Sequence, residues 1–328
     1  MKDVVGFGSL NVDYIYEAED ISFLDPFYPK GEKRREWVLT DPETLRIITK
    51  ILQDKARLIS KSGGGSAANT IFCLAKMGFQ CGFTGKLGRD EDADFLLNEM
   101  SAVSFLDIAR NSRTGKALIV LGPHRDRIIM LLPNANRSLT RADFNPNFVR
   151  AFAVLHLSSL LGEGLDLQEH LVTQVAGKVK ISFDPGEIYA RKGLEALAGL
   201  LARCDILFIT EGELSLLTGL PLRKAIPVIR SLGTKVIVVK KKGAGAMVCQ
   251  GAHTWTIPSE RIQAKDTTGA GDVFAAGFLA GYLREFPLPD CGRLGLALAH
   301  KSMLGLGRAA YPDQGEFEQA LRQLKTDF

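Results

Sequence analysis

The chain has 328 residues, 46% of them hydrophobic, and 41 basic against 37 acidic side chains give a formal net charge of +4. That length buries a large core in one α/β domain or two smaller ones, and the short basic clusters at Lys30 to Arg35 and Lys240 to Lys242 read as solvated faces rather than a nucleic-acid footprint. Five scattered cysteines without a CxxC pair suggest neither a disulfide framework nor a zinc site and suit a reducing, cytoplasmic setting, and no apolar window is long enough to suggest a membrane span.

In chain order, "DVVGFGSL" (3–10) reads as a buried strand. At its end "GSLNVD" carries Asn11 and Asp13, two apart, so an extended chain projects both to one face. There they could bind a polyol or mark a solvated strand end. The segment 17–35 is rich in Pro, Asp and Lys and reads as an insertion over a sheet edge. Residues 41–60 follow as an amphipathic helix opened by Asp41 with Pro42 at its first position. "SGGGSAANT" (62–70) then opens a second helical pattern. Gly63, Gly65 and Ala68 make a variant of the dinucleotide fingerprint, but "KARLISKS" before them is too polar and short for the buried strand that motif requires. Neither Gly85-Lys86 nor Gly115-Lys116 is followed by Ser or Thr, so no Walker A loop is present.

Apolar runs recur at 81–87, 116–122, 127–132, 153–158, 178–184, 205–210, 235–240 and 246–250, with helical patterns at 190–204 and 222–233 among them. Near-continuous apolarity fits strands buried on both faces, and the alternation predicts a mostly parallel sheet covered by helices.

"DTTGAGD" (266–272) leads into "VFAAGFLAGYL", apolar on nearly every side as a buried helix is. Thr268 or Gly269 is the expected N-cap. The first-turn N–H groups lack intrahelical acceptors and, with the helix dipole, attract anionic oxygen, while glycines at 269 and 271 leave room for it. Asp272 stands beside that nest. Donors for a migrating phosphoryl group next to a base for the attacking hydroxyl are what phosphoryl transfer needs. The same residues would also serve an ordinary helix start.

Taken together, "GSLNVD", "GGGSAAN" and "DTTGAGD", in that order, resemble the ribokinase-like, or pfkB-type, carbohydrate kinases. The likeness extends to "GKLGRDEDADF", "FDPG", "LTG" and "GLGRAAYPDQGEFEQAL". The resemblance implies one kinase domain over 1–328: an α/β/α sandwich with a mostly parallel central sheet and a small β lid drawn from about 12–35 and 113–132. It implies ATP as co-substrate with Mg²⁺, and it leaves a potassium ion and a homodimer through the lid open. Position by position, Asp272 matches the catalytic base and Gly269, Ala270 and Gly271 the anion hole. Asn11, Asp13, Gly64, Gly65 and Asn69 match the substrate-hydroxyl positions. Lys240, Gly243, Gly245 and Thr267 fall where the nucleotide is bordered, and Glu213 matches the acid that orders water around Mg²⁺. Two departures stand out: Thr210 replaces the asparagine of the N-x-x-E motif, and Ser158 stands where some sugar-specific members carry glutamate. The expected reaction is transfer of the γ-phosphate of ATP to a hydroxyl of a small sugar. A nucleoside kinase of the same family is the alternative, ahead of a non-catalytic sugar sensor and a nicotinamide-dependent oxidoreductase.

Overall fold

The computed structural model describes residues 1–27, 36–123, 127–241, 243–260 and 262–326. The first half runs β1 (Lys2–Phe7), β2 (Asn11–Glu17), β3 (Glu36–Val38), α1 (Pro42–Lys55), β4 (Arg57–Gly64), α2 (Ser66–Lys76), β5 (Cys81–Leu87), α3 (Glu91–Glu99), β6 (Phe105–Arg110), β7 (Gly115–Leu121), β8 (Arg127–Leu132), α4 (Pro146–Val149) and β9 (Phe152–Ser158). The second runs α5 (Gly164–Val175), β10 (Lys180–Asp184), α6 (Gly186–Ala190), α7 (Leu194–Leu201), β11 (Ile206–Thr210), α8 (Glu211–Thr218), α9 (Leu222–Ser231), β12 (Val236–Lys241), β13 (Gly245–Gln250), β14 (His253–Ile257), α10 (Ala270–Leu283), α11 (Leu288–Ser302) and α12 (Gln314–Thr326).

The main sheet has the order β14-β13-β12-β11-β10-β9-β1-β5-β6 and is parallel from β12 to β6, with β13 and β14 added antiparallel. Its inner strands are largely apolar because each feeds two cores, whereas the edge strands β6 and β14 carry polar and exposed residues. Along β11, Ile206 and Phe208 enter the core shared with α2, α10 and α11, while Leu207 and Ile209 enter the core shared with α5, α7 and α9. From β1 the chain builds outward to β5 and β6 on one side, then returns to β9 and builds toward β12 on the other. The strand order reverses at β1 and β9, where α/β sheets open a crevice at their carboxyl ends.

The second sheet has the order β3-β8-β7-β2-β4. One face is covered by α1 and the short 3₁₀ helix Ser22–Phe27, which pack Leu24, Ile48 and Leu52 on Trp37, Leu118, Val120 and Met130. The opposite face carries Ile15, Ala117 and Ile119, with Asp13 opposite Ala117 and Ile15 opposite Ile119 in register.

Several local expectations need correction. The helix at 41–60 ends at Lys55, because Arg57–Gly64 turns into a strand. "KARLISKS" is thus extended, yet it runs antiparallel to β2 at the edge of the second sheet and is exposed over its first half. Water on one side explains its polarity, and it is not the buried parallel strand of a dinucleotide site. Asn11 and Asp13 do not end the first strand. β1 stops at Phe7, and they begin β2 in the other sheet. Runs 116–122 and 127–132 also lie there, and the helix expected at 190–204 is shortened to α7, entered through Gly193 with φ 83°. Parts of the expected lid segments, 28–35 and 124–126, and Lys242 lie outside the described residues.

Candidate active site

Four neighbouring parallel strands end on polar residues at one edge of the main sheet: Ser158 on β9, Asp184 on β10, Thr210 on β11 and Lys240 near the end of β12. Ser158 Oγ accepts the Ala67 N–H at 3.0 Å, capping the start of α2. Asp184 Oδ2 accepts from the Lys240 ammonium at 2.6 Å, and both side chains are largely buried. Thr210 and Glu213 form a reciprocal capping box at the head of α8: the Thr210 N–H donates to Glu213 Oε2 at 2.7 Å and the Glu213 N–H to Thr210 Oγ1 at 3.2 Å. Burial and the neighbouring Asp184 carboxylate push the Glu213 acid above its usual range, against the pull of Lys240. Burial alone would lower the Lys240 pKa, but Asp184 and Glu213 outweigh it and raise it, so the ammonium stays charged.

Gly269 is the N-cap of α10 in a left-handed conformation, φ 74°, and a Cβ there would run into the Tyr311 hydroxyl. In the turn it begins, the Thr268 N–H donates to Asp266 Oδ1, the Ala270 N–H to the Thr267 carbonyl and the Asp272 N–H to the Gly269 carbonyl. The Gly271 N–H finds no acceptor among the described residues. The Lys240 ammonium lies 3.3 Å from where a Gly271 Cβ would be. One open amide, the positive end of a helix and a buried ammonium therefore converge on one spot.

One residue further on, the half-buried Asp272 is gripped by α2. Ser66 Oγ donates to its Oδ1 at 2.6 Å and Asn69 Nδ2 to its Oδ2 at 2.8 Å, while Thr70 donates to its backbone carbonyl. Burial raises the carboxyl to about 6 despite these donors, and the negative charge of Asp184 adds to the rise.

The three consecutive glycines have separate reasons. A Cβ on Gly63 would strike the Arg308 guanidinium and the Glu99 carboxylate; on Gly64, the Asp13 carboxylate; on Gly65, with φ 99°, the Ser9 carbonyl. Asp13 is thereby laid against the backbone of β4, where burial lifts its pKa to about 7 while Arg308 opposes the rise. Asn11 Oδ1 accepts from Asn136, whose side chain also clasps both backbone groups of Leu10.

Asp272, Asn69, Gly64 and Asp13 thus come together, with Asn11 on the same strand face as Asp13. Lys240 stands beside Gly271 rather than in a solvated run. Gly243, with φ 70°, lies in the connection between β12 and β13, and Gly245, with φ 90°, opens β13, where a Cβ would meet the Ile257 carbonyl, so the hairpin by itself accounts for them. Thr267 is exposed and contributes its carbonyl to the turn. The motifs alone did not single out Ser66, Asp184, Glu99, Tyr311 or Arg308. Among the described residues no group of three or more His, Cys, Asp or Glu side chains is placed to hold a metal ion, and no helix is long and apolar enough to cross a membrane.

Comparison with known proteins agrees with this geometry. The family model for pfkB family carbohydrate kinases matches residues 31–310. An uncharacterized sugar kinase of Archaeoglobus fulgidus is 31% identical over 232 residues, covering 70% of this chain and 93% of that protein. A cytidine kinase of Thermococcus kodakarensis is 29% identical over 73% of this chain and 86% of its own. The crystal structure of adenosine kinase from Sinorhizobium meliloti superimposes with a TM-score of 0.84 over 98% of this chain and 99% of its own, at 21% identity. The fold is that of the ribokinase-like kinases. The chain belongs to the pfkB family of carbohydrate kinases and is a phosphotransferase with an alcohol group as acceptor.

Proposed function

We propose that the enzyme moves the γ-phosphate of ATP to a hydroxyl of a small sugar held between β2, β4 and α2. The observation that carries the reading is the position of Asp272, whose carboxylate stands one residue past the open Gly271 amide and within reach of Asn69. The acceptor O–H gives its proton to Asp272, the oxygen forms the new bond to the γ-phosphorus, and the bond from that phosphorus to the β-bridging oxygen breaks as ADP leaves. In a loose transition state the proton moves late, so a carboxylate with a pKa near 6 serves well. The Gly271 amide and Lys240 offset the charge gathering on the transferred group. Asn11 and Asp13 hold other acceptor hydroxyls.

Mg²⁺ keeps most of its ligands as water and phosphate oxygen and needs only one or two carboxylates from the protein. Asp184 and Glu213, two neighbouring carboxyls beside Lys240, fit that demand. They would hold the ion or its waters, and the ion would supply charge neutralisation on the phosphates. The second sheet acts as the lid. Its Arg127, on β8, already donates to Thr268 Oγ1 at 3.2 Å, beside the anion nest. Closure there excludes water, which would otherwise accept the phosphate. Because α1 fills the outer face of this sheet, we read closure as an event within one chain rather than through a lid-mediated dimer. A cytoplasmic setting, where ATP is supplied, fits the five buried, unpaired cysteines.

One observation favours a nucleoside as the second reading. Ile15, Ala117 and Ile119 continue the sheet face that carries Asp13, and an apolar row beside a hydroxyl-binding carboxylate suits a flat base attached to a ribose. The test is ADP release from MgATP across pentoses, hexoses, their acids and phosphates, and ribonucleosides, in sodium-only and potassium-only buffers. Turnover with sugars alone supports the first reading and turnover with nucleosides the second. No turnover with any of them would overturn both.

A further inference from the structure

Arg308 lies in the short 3₁₀ segment Gly307–Ala310 after α11 and is 3% exposed, rare isolation for a guanidinium. Its Nη1 donates to Glu99 Oε2 at 2.8 Å, its Nη2 to the Gly64 carbonyl at 3.5 Å and its Nε to Asn69 Oδ1 at 2.9 Å, while its plane lies over the Phe72 ring, 5.0 Å from the centroid. Glu99 in turn accepts the Gly63 N–H at 2.7 Å. Gly63 lacks the Cβ that would collide with both charged groups.

The bond to Asn69 fixes a choice that Asn69 cannot make alone. An asparagine side chain has a donating and an accepting end, and it can turn over by rotation about its last bond. Arginine has no acceptor, so the end facing Arg308 must be the oxygen. The amide nitrogen is then forced toward Asp272, whose ionised carboxylate can only accept. We propose that Arg308 is a positioning residue for the transfer, acting through Asn69 to orient the Asp272 carboxylate and keep a donor on it. This deepens the reading of Asp272 as base and rests on it. Arg308 itself touches neither acceptor nor phosphate in this role.

Arg308→Lys separates positioning from mere packing, because lysine retains the charge and can still reach Glu99 but lacks the fork that serves Asn69 at the same time. The variant should remain folded, with kcat reduced about 10- to 100-fold by a misplaced base. With Asn69 free to turn over, Asp272 loses a donor to its ionised form, so the acid limb of kcat should move up by about one pH unit. The other groups facing Asp272 are Ser66 and Cys73 of α2, Asp13 of β2, Asp184 of β10, Lys240 of β12 and the Tyr311 hydroxyl; of these Asp13 and Tyr311 also feel the charge of Arg308, which lysine retains.

A double-mutant cycle with Asn69→Ala reads the relay directly. Once Asn69 is gone, Arg308→Lys should change kcat by less than about twofold. Fully additive losses, or an acid limb left at the wild-type pH in folded Arg308→Lys, would overturn the proposal. Should that variant not fold, Asn69→Ser breaks the relay at its middle and must show the same upward limb shift, or the proposal fails. Asp272→Asn run alongside tells the two readings apart: wild-type turnover in that variant sinks the assignment of the base itself. Loss there with an unmoved limb in Arg308→Lys sinks only the relay.

Discussion

Asn69 and Asp272 are 203 residues apart in the chain and are joined by a 2.8 Å hydrogen bond. The bond ties the first turns of α2 to the first turn of α10. Two helix starts, each opened by a left-handed or otherwise glycine-only residue, are thereby held face to face, and the crevice between them is where acceptor and phosphate would meet.

Replacing Asp272 by Asn preserves shape and removes the base. Turnover should fall roughly 100-fold or more, with ATP binding nearly unchanged. Steady-state kinetics with the best acceptor and calorimetry with ATP check the two halves.

The pH profile follows from two raised carboxyls. Asp272 near 6 must be ionised to take the proton, and Asp13 near 7 must be ionised to accept from acceptor hydroxyls. The logarithm of kcat/KM should therefore fall below about pH 7 with unit slope and more steeply below about 6. Asp13→Asn should raise the acceptor KM and leave a single limb.

Those same shifts cost stability at high pH. A carboxyl raised in the folded state contributes stability that is fully present below its unfolded value, near 4, and is lost as pH rises through its folded value. Asp13→Asn should thus raise Tm by a few °C at pH 8 and leave it unchanged at pH 4. A lower Tm at pH 8 would show that the pull of Arg308 outweighs burial.

Two alanine substitutions in one turn should part company. Gly271→Ala meets only the tip of Lys240, so the fold should tolerate it within about 0.5 kcal/mol, yet its methyl group covers the open amide and should cut kcat at least tenfold. Gly269→Ala meets the Tyr311 hydroxyl at φ 74° and should lower stability by a few kcal/mol. Thermal melts beside kinetics distinguish them.

At the head of α8, Thr210→Ala removes the cap and should cost about 1 kcal/mol, whereas Thr210→Asn keeps a capping side chain and should be nearly neutral.

The parts of the site that were legible in the sequence are those that local chemistry dictates. A glycine-opened apolar helix at 270 and small residues before α2 announce themselves, because backbone amides need room whatever surrounds them. The edge strand β4 did not, since it is polar, half exposed and carries no apolar run, so the amphipathic helix expected at 41–60 runs on into it. Asp184 and Lys240 are 56 apart and meet only because β10, β11 and β12 end at one level. Arg308 was hidden for a different reason: nothing in "GLGRAAYP" shows that its guanidinium is buried, and only the Gly63 cleft reveals it.

The working parts run from Asn11 to Arg308, and α10 sits at the centre of the core that α2 and α11 share. During synthesis, the amino-terminal half must therefore wait, with α2 and its side of the sheet uncovered, until nearly all of the chain has left the ribosome. No shortened product that stops before α10 should carry partial activity. In a growing cell the exposed half would be the form that chaperones meet.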